Sequence, residues 1–120
     1  MNDQHDTIAA IATPYGEGGI AVIRISGPGA IAVARAVWRR VNGGECPPLE
    51  SHRVYHGHIN DPQSDTIIDE GLLIFFAKNR SYTGDDTVEL NCHGGPFVAR
   101  RVLEATIAAV SYTHLTLPTN

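Results

Sequence analysis

The sequence predicts an α+β fold in which two helices accompany a mixed, mostly antiparallel sheet. Three observations lead to this prediction. Five short segments are rich in β-branched and other apolar residues, two longer segments place apolar residues at helical spacing, and their order along the chain is β-β-α-β-β-β-α. The 120 residues, 42% of them hydrophobic, are enough for one domain with a single core.

The N-terminal half is predicted to form two strands and one helix. The first strand covers residues 6–13, and the glycine-rich turn at 16–19 connects it to a second strand, Ile20–Ser26, as a hairpin. The second run is almost continuously apolar, which is typical of a strand buried on both faces. A helix follows from Pro28 to the glycine pair at 43 and 44. Its predicted apolar face consists of Ile31, Ala34, Trp38 and Val41.

The C-terminal half is predicted to form three strands and a second helix. Strands are expected at residues 53–60, 66–76 and 87–92, and Asp69–Gly71 indicates a bulge or bend within the middle one. The helix begins directly after the third strand, and its apolar pattern stops near Val110.

The last ten residues differ from the rest of the chain, because they are uncharged and rich in threonine. We therefore predict a domain over residues 6–110 and an atypical tail over residues 111–120, which is either the end of a fragment or a foreign sequence. The alternative is a final edge strand with Tyr112, His114 and Thr116 on one side.

Charge and cysteine content exclude several classes of protein. Nine basic and thirteen acidic residues give a net charge of −4, so the overall basic character of nucleic-acid-binding proteins is absent. No apolar run approaches the ~20 residues that span a bilayer, and the acidic start of the chain is unlike a signal peptide. Cys46 and Cys92 form no disulfide framework. These observations predict a cytoplasmic protein that is not associated with a membrane.

The glycine-rich turn does not predict a nucleotide site. A strand follows it instead of a helix N-terminus, the chain has no GxxxxGK[ST] motif, and its only lysine is Lys78. We expect this chain to bind no GTP.

Two charged residues lie in apolar strands, namely Arg24 in the second strand and Glu89 in the last one. Burying an unpaired charge costs several kcal/mol, so each residue needs a partner or a polar cleft. Either the two form a structural ion pair, or they line a pocket in which Arg24 donates to a ligand and Glu89 accepts from it.

Histidines provide weaker candidates. His93 precedes the second helix and is either a hydrogen-bonding residue or a general base, although no nucleophile accompanies it. His52, His56 and His58 share one strand face by their period of two, and they form either a partial metal site or a solvated polar face.

An ordered set of motifs points to a family. The motifs are Thr7–Pro14, Gly16-x-Gly18-Gly19, Arg24–Pro28, Asp69–Gly71, Ser81–Asp86 and Glu89-x-x-x-His93-Gly94-Gly95-Pro96. Each is weak alone, but their order and spacing are specific. Over about residues 6–110, the chain resembles the N-terminal domain of the tRNA modification GTPases of the MnmE (TrmE) family.

The resemblance implies a function. Domains of this family resemble the tetrahydrofolate-binding domain of the glycine-cleavage aminomethyltransferase. They form homodimers and bind 5-formyl- or 5,10-methylene-tetrahydrofolate as the one-carbon donor. With the partner MnmG (GidA), the full-length protein builds the carboxymethylaminomethyl group on the wobble uridine (position 34) of certain tRNAs. GTP, Mg²⁺ and K⁺ belong to a later GTPase domain, which these 120 residues do not contain.

Motif matching places the family's folate-contacting arginine and glutamate on Arg24 and Glu89, and it implies no catalytic or metal-binding residue. A third contact, a lysine after a PGEFTxRAFLNGK-like segment, has no counterpart here, and Glu17 replaces a commonly basic residue. Two alternatives remain open. One is a dimerisation-only module with a structural Arg24–Glu89 ion pair, and the other is an aminomethyltransferase-like folate enzyme.

Overall fold

The computed structural model describes residues 6–13, 19–80 and 84–116 of the chain. The first three residues of the predicted glycine-rich turn (16–18) and of the Ser81–Asp86 motif (81–83) therefore lie outside the described residues. Within them, the elements are β1 (Ile8–Ile11), β2 (Ile20–Ser26), α1 (Ala30–Val37), β3 (Trp38–Arg40), β4 (Val54–Asp61), β5 (Thr66–Phe76), a short 3₁₀ turn (Lys78–Arg80), β6 (Thr87–His93) and α2 (Pro96–Thr116).

The strands form one sheet of six in the order β1-β2-β6-β5-β4-β3. All neighbouring pairs are antiparallel, and β1 pairs with β2 as the predicted hairpin would. The predicted α+β class with a mostly antiparallel sheet is confirmed, and no parallel pair occurs within the described strands. The decisive pairing for the site is β2 with β6, because it joins segments that are distant in the sequence.

Both helices pack on one face of this sheet. Because successive side chains of a strand point to opposite faces, one alternate set builds the core with α1 and α2. The core side chains of the central strands include Ile23, Ile25, Leu73, Phe75, Val88 and Leu90. The opposite surface, called the open face below, carries Ile8, Ile20, Val22, Arg24, Val54, His56, Leu72, Ile74, Glu89 and Asn91.

The first helix is shorter than predicted. It begins at Ala30, after a turn that contains Pro28, and it ends at Val37, where Trp38 is extended with φ −123° and ψ 137°. Trp38 starts an edge strand because its indole packs on the backbone of Gly57: a Cβ built there would lie 2.6 Å from Trp38 Cζ2. The helical spacing was misleading, because Trp38 is fully buried as a strand residue, and a buried position fits a helical pattern as well.

The predicted irregularity in β5 is confirmed, one residue earlier than expected. Ile59 of β4 pairs with Asp69, whereas Asn60 pairs with Ile67, so that Ile68 is the extra residue. Gly71 leaves no room for a side chain against β6, since a Cβ there would lie 2.1 Å from the carbonyl oxygen of Asn91.

The C-terminal helix is longer than predicted. α2 continues to Thr116, so its predicted end near Val110 is wrong, and so is the alternative of an edge strand over residues 111–116. The division into a domain over 6–110 and a tail over 111–120 stays a prediction.

Candidate functional site

Arg24 and Glu89 lie directly opposite one another on β2 and β6. Arg24 Nη2 and Nε both donate to Glu89 Oε2, at 2.8 and 3.0 Å. Antiparallel pairing puts such residues close enough for a cross-strand ion pair. The sequence therefore predicted correctly that each charge needs a partner, and the structure brings the two together.

The pair lies on the open face, not in the core. The Arg24 side chain is 45% exposed and that of Glu89 is 19% exposed. The prediction that β2 is buried on both faces is therefore wrong. Its apolar run is continuous because Ile20 and Val22 continue the apolar character on the open face, and Ile20 itself is 61% exposed.

The surroundings of the pair are mostly apolar. Ala10 and Ile74 flank it in the same row of the sheet, and Val22 and Leu72 lie in the next row, on either side of Asn91. A pair of opposite charges flanked by apolar side chains gives a ligand two orienting contacts among nonpolar ones. Arg24 Nη1 and Glu89 Oε1 take no part in the contact between the two residues.

A second charged contact joins β5 to the end of β6. The Asp69 carboxylate accepts hydrogen bonds from the backbone N–H of His93, at 2.8 Å, and from the ring Nδ1, at 2.9 Å. Burial raises the pKa of Asp69. The hydrogen bonds from the backbone and ring of His93, together with that from the backbone of Glu70, outweigh it and bring the pKa below its ordinary value of 3.8.

His93 is thus a hydrogen-bonding residue, as one of its two interpretations required. Its side chain is 74% exposed, whereas that of Asp69 is 13% exposed, so the carboxylate orients a ring that faces solvent. Sequence reasoning missed Asp69 as its partner. The available signal was an acidic residue inside the apolar strand 66–76, but its partner lies 24 positions away and could not be read from spacing.

Of the three remaining histidines, His56 and His58 share one face of β4 as predicted, but His52 does not. His52 precedes β4, has φ 66°, and places its ring edge-on against Phe76 at 4.9 Å between centroids. His56 contacts Glu70 across the sheet. Among the residues that the structure describes, no group of three or more metal-ligating side chains is assembled.

Both thiols are poorly suited to nucleophilic chemistry. Burial, with a smaller contribution from the Asp69 carboxylate, raises the pKa of Cys92 to about 11. Burial also raises the pKa of Cys46, although three nearby arginines act to lower it. A thiol attacks as its thiolate, so neither residue is activated.

In the described parts of the chain, neither helix has the length and apolarity of a transmembrane segment.

Comparison with known proteins gives one consistent result. The family model described as GTP-binding protein TrmE N-terminus matches residues 7–116. Three relatives, each named tRNA modification GTPase MnmE, are 52%, 47% and 41% identical to the chain, in Syntrophobacter fumaroxidans, Geobacter sulfurreducens and Bacillus subtilis respectively. These alignments cover 89%, 87% and 85% of the chain. The chain spans 22% of the length of each relative.

Proposed function

Since the chain belongs to the TrmE N-terminal family, we propose that it is the tetrahydrofolate-binding and dimerisation domain of a cytoplasmic GTPase that modifies tRNA. The folate is 5-formyl- or 5,10-methylene-tetrahydrofolate, and the modification is the carboxymethylaminomethyl group of the wobble uridine. The family membership and the names of the relatives support the general role. The finer assignments rest on the resemblance together with the open face.

One observation supports folate binding above the others: Arg24 and Glu89 form a charged pair that apolar side chains flank in its own row of the sheet. A folate carries a pterin edge rich in N–H donors, which suits Glu89, and acceptor oxygens, which suit Arg24. Hydrogen bonds to charged groups contribute ~1.5–3 kcal/mol each. An ion pair with this exposure contributes only ~0–1 kcal/mol, so a ligand separates the two residues at small cost.

Dimerisation is supported by the same surface. Four apolar side chains of the open face are well exposed: Ile8 at 60%, Ile20 at 61%, Val54 at 54% and Leu72 at 39%. Several exposed apolar side chains on one sheet face are typical of an interaction surface, and a second copy of the chain is the partner that the family resemblance implies. A stable dimer would bury ~1,200–2,000 Å² in total.

The other elements of the proposal concern the longer protein. MnmG and tRNA are proposed partners of the full-length protein, and GTP, Mg²⁺ and K⁺ are proposed ligands of its GTPase domain. This chain carries no phosphate-binding lysine motif, and we expect no binding of GTP to it.

A dimerisation-only module is the second candidate. The observation in its favour is the ion pair itself, because the direct contact between Arg24 and Glu89 satisfies both charges without a ligand.

Calorimetric titration with 5-formyltetrahydrofolate distinguishes the two candidates. We expect weak binding, because the lysine contact is missing, and a loss of about 10–100-fold in affinity in Arg24→Ala and in Glu89→Ala. The matched controls are Arg100→Ala and Glu104→Ala, which remove an exposed pair from α2 and should leave the affinity unchanged. Equal affinity in all four folded variants, or no binding to the unaltered chain, would favour the dimerisation-only module.

A further inference from the structure

A cluster of three arginines lies at the edge of the sheet that is farthest from β1. Arg35 is in the last turn of α1, and Arg39 and Arg40 are in the edge strand β3. Beside them is a cleft of about 460 Å³, lined by Arg35, Arg39, Glu45, Cys46 and Pro48. Arg40 lies beside this cleft, because its Nε donates to the backbone carbonyl of Glu45 at 3.0 Å.

Backbone carbonyls hold two members of this arginine cluster, Arg39 and Arg40, in place. Arg39 Nη1 donates to the carbonyl oxygens of Arg35 and Trp38, both at 2.8 Å, and Arg40 Nε donates to that of Glu45 at 3.0 Å. The chain reverses directly after β3: Gly43, with φ 91°, donates its N–H to the carbonyl of Arg40 at 2.8 Å. These contacts hold the guanidinium groups of Arg39 and Arg40 without neutralising them.

The cluster keeps its positive charge. In the described part of the chain, none of Arg35, Arg39 and Arg40 forms an ion pair, whereas Arg24, Arg53 and Arg100 each do. Glu45 is the one carboxylate that lines the cleft, against two of the guanidinium groups. A local cationic site therefore exists in a chain whose net charge is −4.

Part of the cluster has a structural role. Arg39 hydrogen-bonds the carbonyl of Arg35 at the end of α1, which is a favourable position for a cation. This role does not account for Arg35 and Arg40, which are exposed and whose guanidinium groups retain donors for an external acceptor. Guanidinium groups bind phosphate oxygens through two parallel N–H donors, and this suits phosphate better than a single point charge would.

We propose that the arginine cluster binds the phosphate backbone of the RNA substrate, with Arg35 and Arg40 as its phosphate contacts. This inference rests on the proposed function, from which the RNA, a tRNA, is taken. An extended polyanion fits an open cleft on a sheet edge, because it can contact several exposed guanidinium groups at once. The cluster is four strand spacings, about 19 Å, from β2, so RNA and folate occupy separate surfaces.

The test compares two charge-matched double variants of the 120-residue chain. Arg35→Gln with Arg40→Gln removes two charges from the cluster, and Lys78→Gln with Arg100→Gln removes two exposed charges elsewhere. Binding of an unmodified tRNA transcript is followed by fluorescence anisotropy from 25 to 200 mM salt. Folding of each variant is checked by circular dichroism. Calorimetry with inorganic phosphate provides a second arm.

We expect the cluster variant to lose about tenfold or more in tRNA affinity at low salt, with a log–log salt slope smaller by about 2. The control variant should lose clearly less. No tRNA binding by the unaltered chain, or equal losses in both variants, would overturn the inference. The inference would also be overturned if binding of inorganic phosphate depended on the cluster and binding of tRNA did not. Folate affinity of the cluster variant should stay unchanged, so this inference and the folate proposal fail independently.

Discussion

The Arg24–Glu89 pair is expected to contribute little to folding stability, although it joins two central strands. Its two hydrogen bonds converge on one carboxylate oxygen, and the arginine is nearly half exposed. Exposed pairs of this kind have coupling energies of ~0.2–1 kcal/mol, whereas breaking a fully buried pair costs ~3–5 kcal/mol. Because Glu89 is less exposed than Arg24, we expect a coupling energy of about 1 kcal/mol, near the top of the exposed range.

A double-mutant cycle measures this energy. The cycle uses Arg24→Gln, Glu89→Gln and the double variant; Glu89→Gln keeps side-chain length, and Arg24→Gln keeps a polar side chain that is two atoms shorter. The free energy of unfolding is obtained from urea titrations at one protein concentration. The helix pair Arg100–Glu104, at 3.3 Å and 70% and 65% exposed, serves as the reference cycle and should give ~0.3–0.5 kcal/mol. Both coupling energies should decrease with added salt.

A coupling energy above about 2 kcal/mol for Arg24–Glu89 would refute this reasoning. It would mean that the pair is a structural element and that a ligand could separate it only at a large cost in free energy, as the dimerisation-only module requires. The expected small value leaves the pair available to a folate.

Three further predictions concern stability and reactivity. Gly57→Ala should lower the free energy of unfolding by about 1–3 kcal/mol or more, because its Cβ would clash with Trp38. In Gly95→Ala the new Cβ would have no atom within 4 Å, so this control should change the free energy of unfolding far less. Thermal melts of the two variants compare these effects. The lowered pKa of Asp69 contributes stability that is present above pH 3.8 and is lost as the pH falls through the folded pKa. In Asp69→Asn this part of the acid-induced loss should therefore be absent, and an unchanged acid melting profile would contradict it. Cys92, with its pKa of about 11, should react with a thiol reagent at pH 7.5 far more slowly in the native chain than in urea, and equal rates would be evidence against its burial.

The sequence predicted the strands best where a β-branched run is bounded by turn residues. Residues 20–26 and 66–76 form strands with the predicted ends. It failed at Trp38, because burial of the side chain satisfies a helical pattern and a strand pattern equally well. The choice was made by a tertiary contact with Gly57, which lies 19 positions away and leaves room for the indole.

The sequence predicted that Arg24 and Glu89 could be partners, but it did not predict the exposed sheet face on which they lie. Charges inside two apolar runs required partners, and Arg24 and Glu89 are partners. Nothing in the sequence revealed that both helices pack on the other face, because the open face is itself largely apolar. The arginine cluster was hidden for a different reason: the sum of all charges is negative, and only the fold shows that Arg35, Arg39 and Arg40 lack carboxylate partners in the described residues.

The layering of the fold connects these surfaces. A sheet covered by helices on one face leaves the apolar side chains of its other face in water, and each buried Å² of apolar surface contributes ~25 cal/mol. Covering the open face with a ligand or a second copy of the chain is therefore favourable. Arg24 and Glu89, which lie on this face, give the covering molecule a preferred orientation. The cationic edge at β3 is separated from β2 by the strands β6, β5 and β4. A folate bound at Arg24 and Glu89 thus leaves the edge accessible to a polyanion, so occupancy of one site should not exclude occupancy of the other.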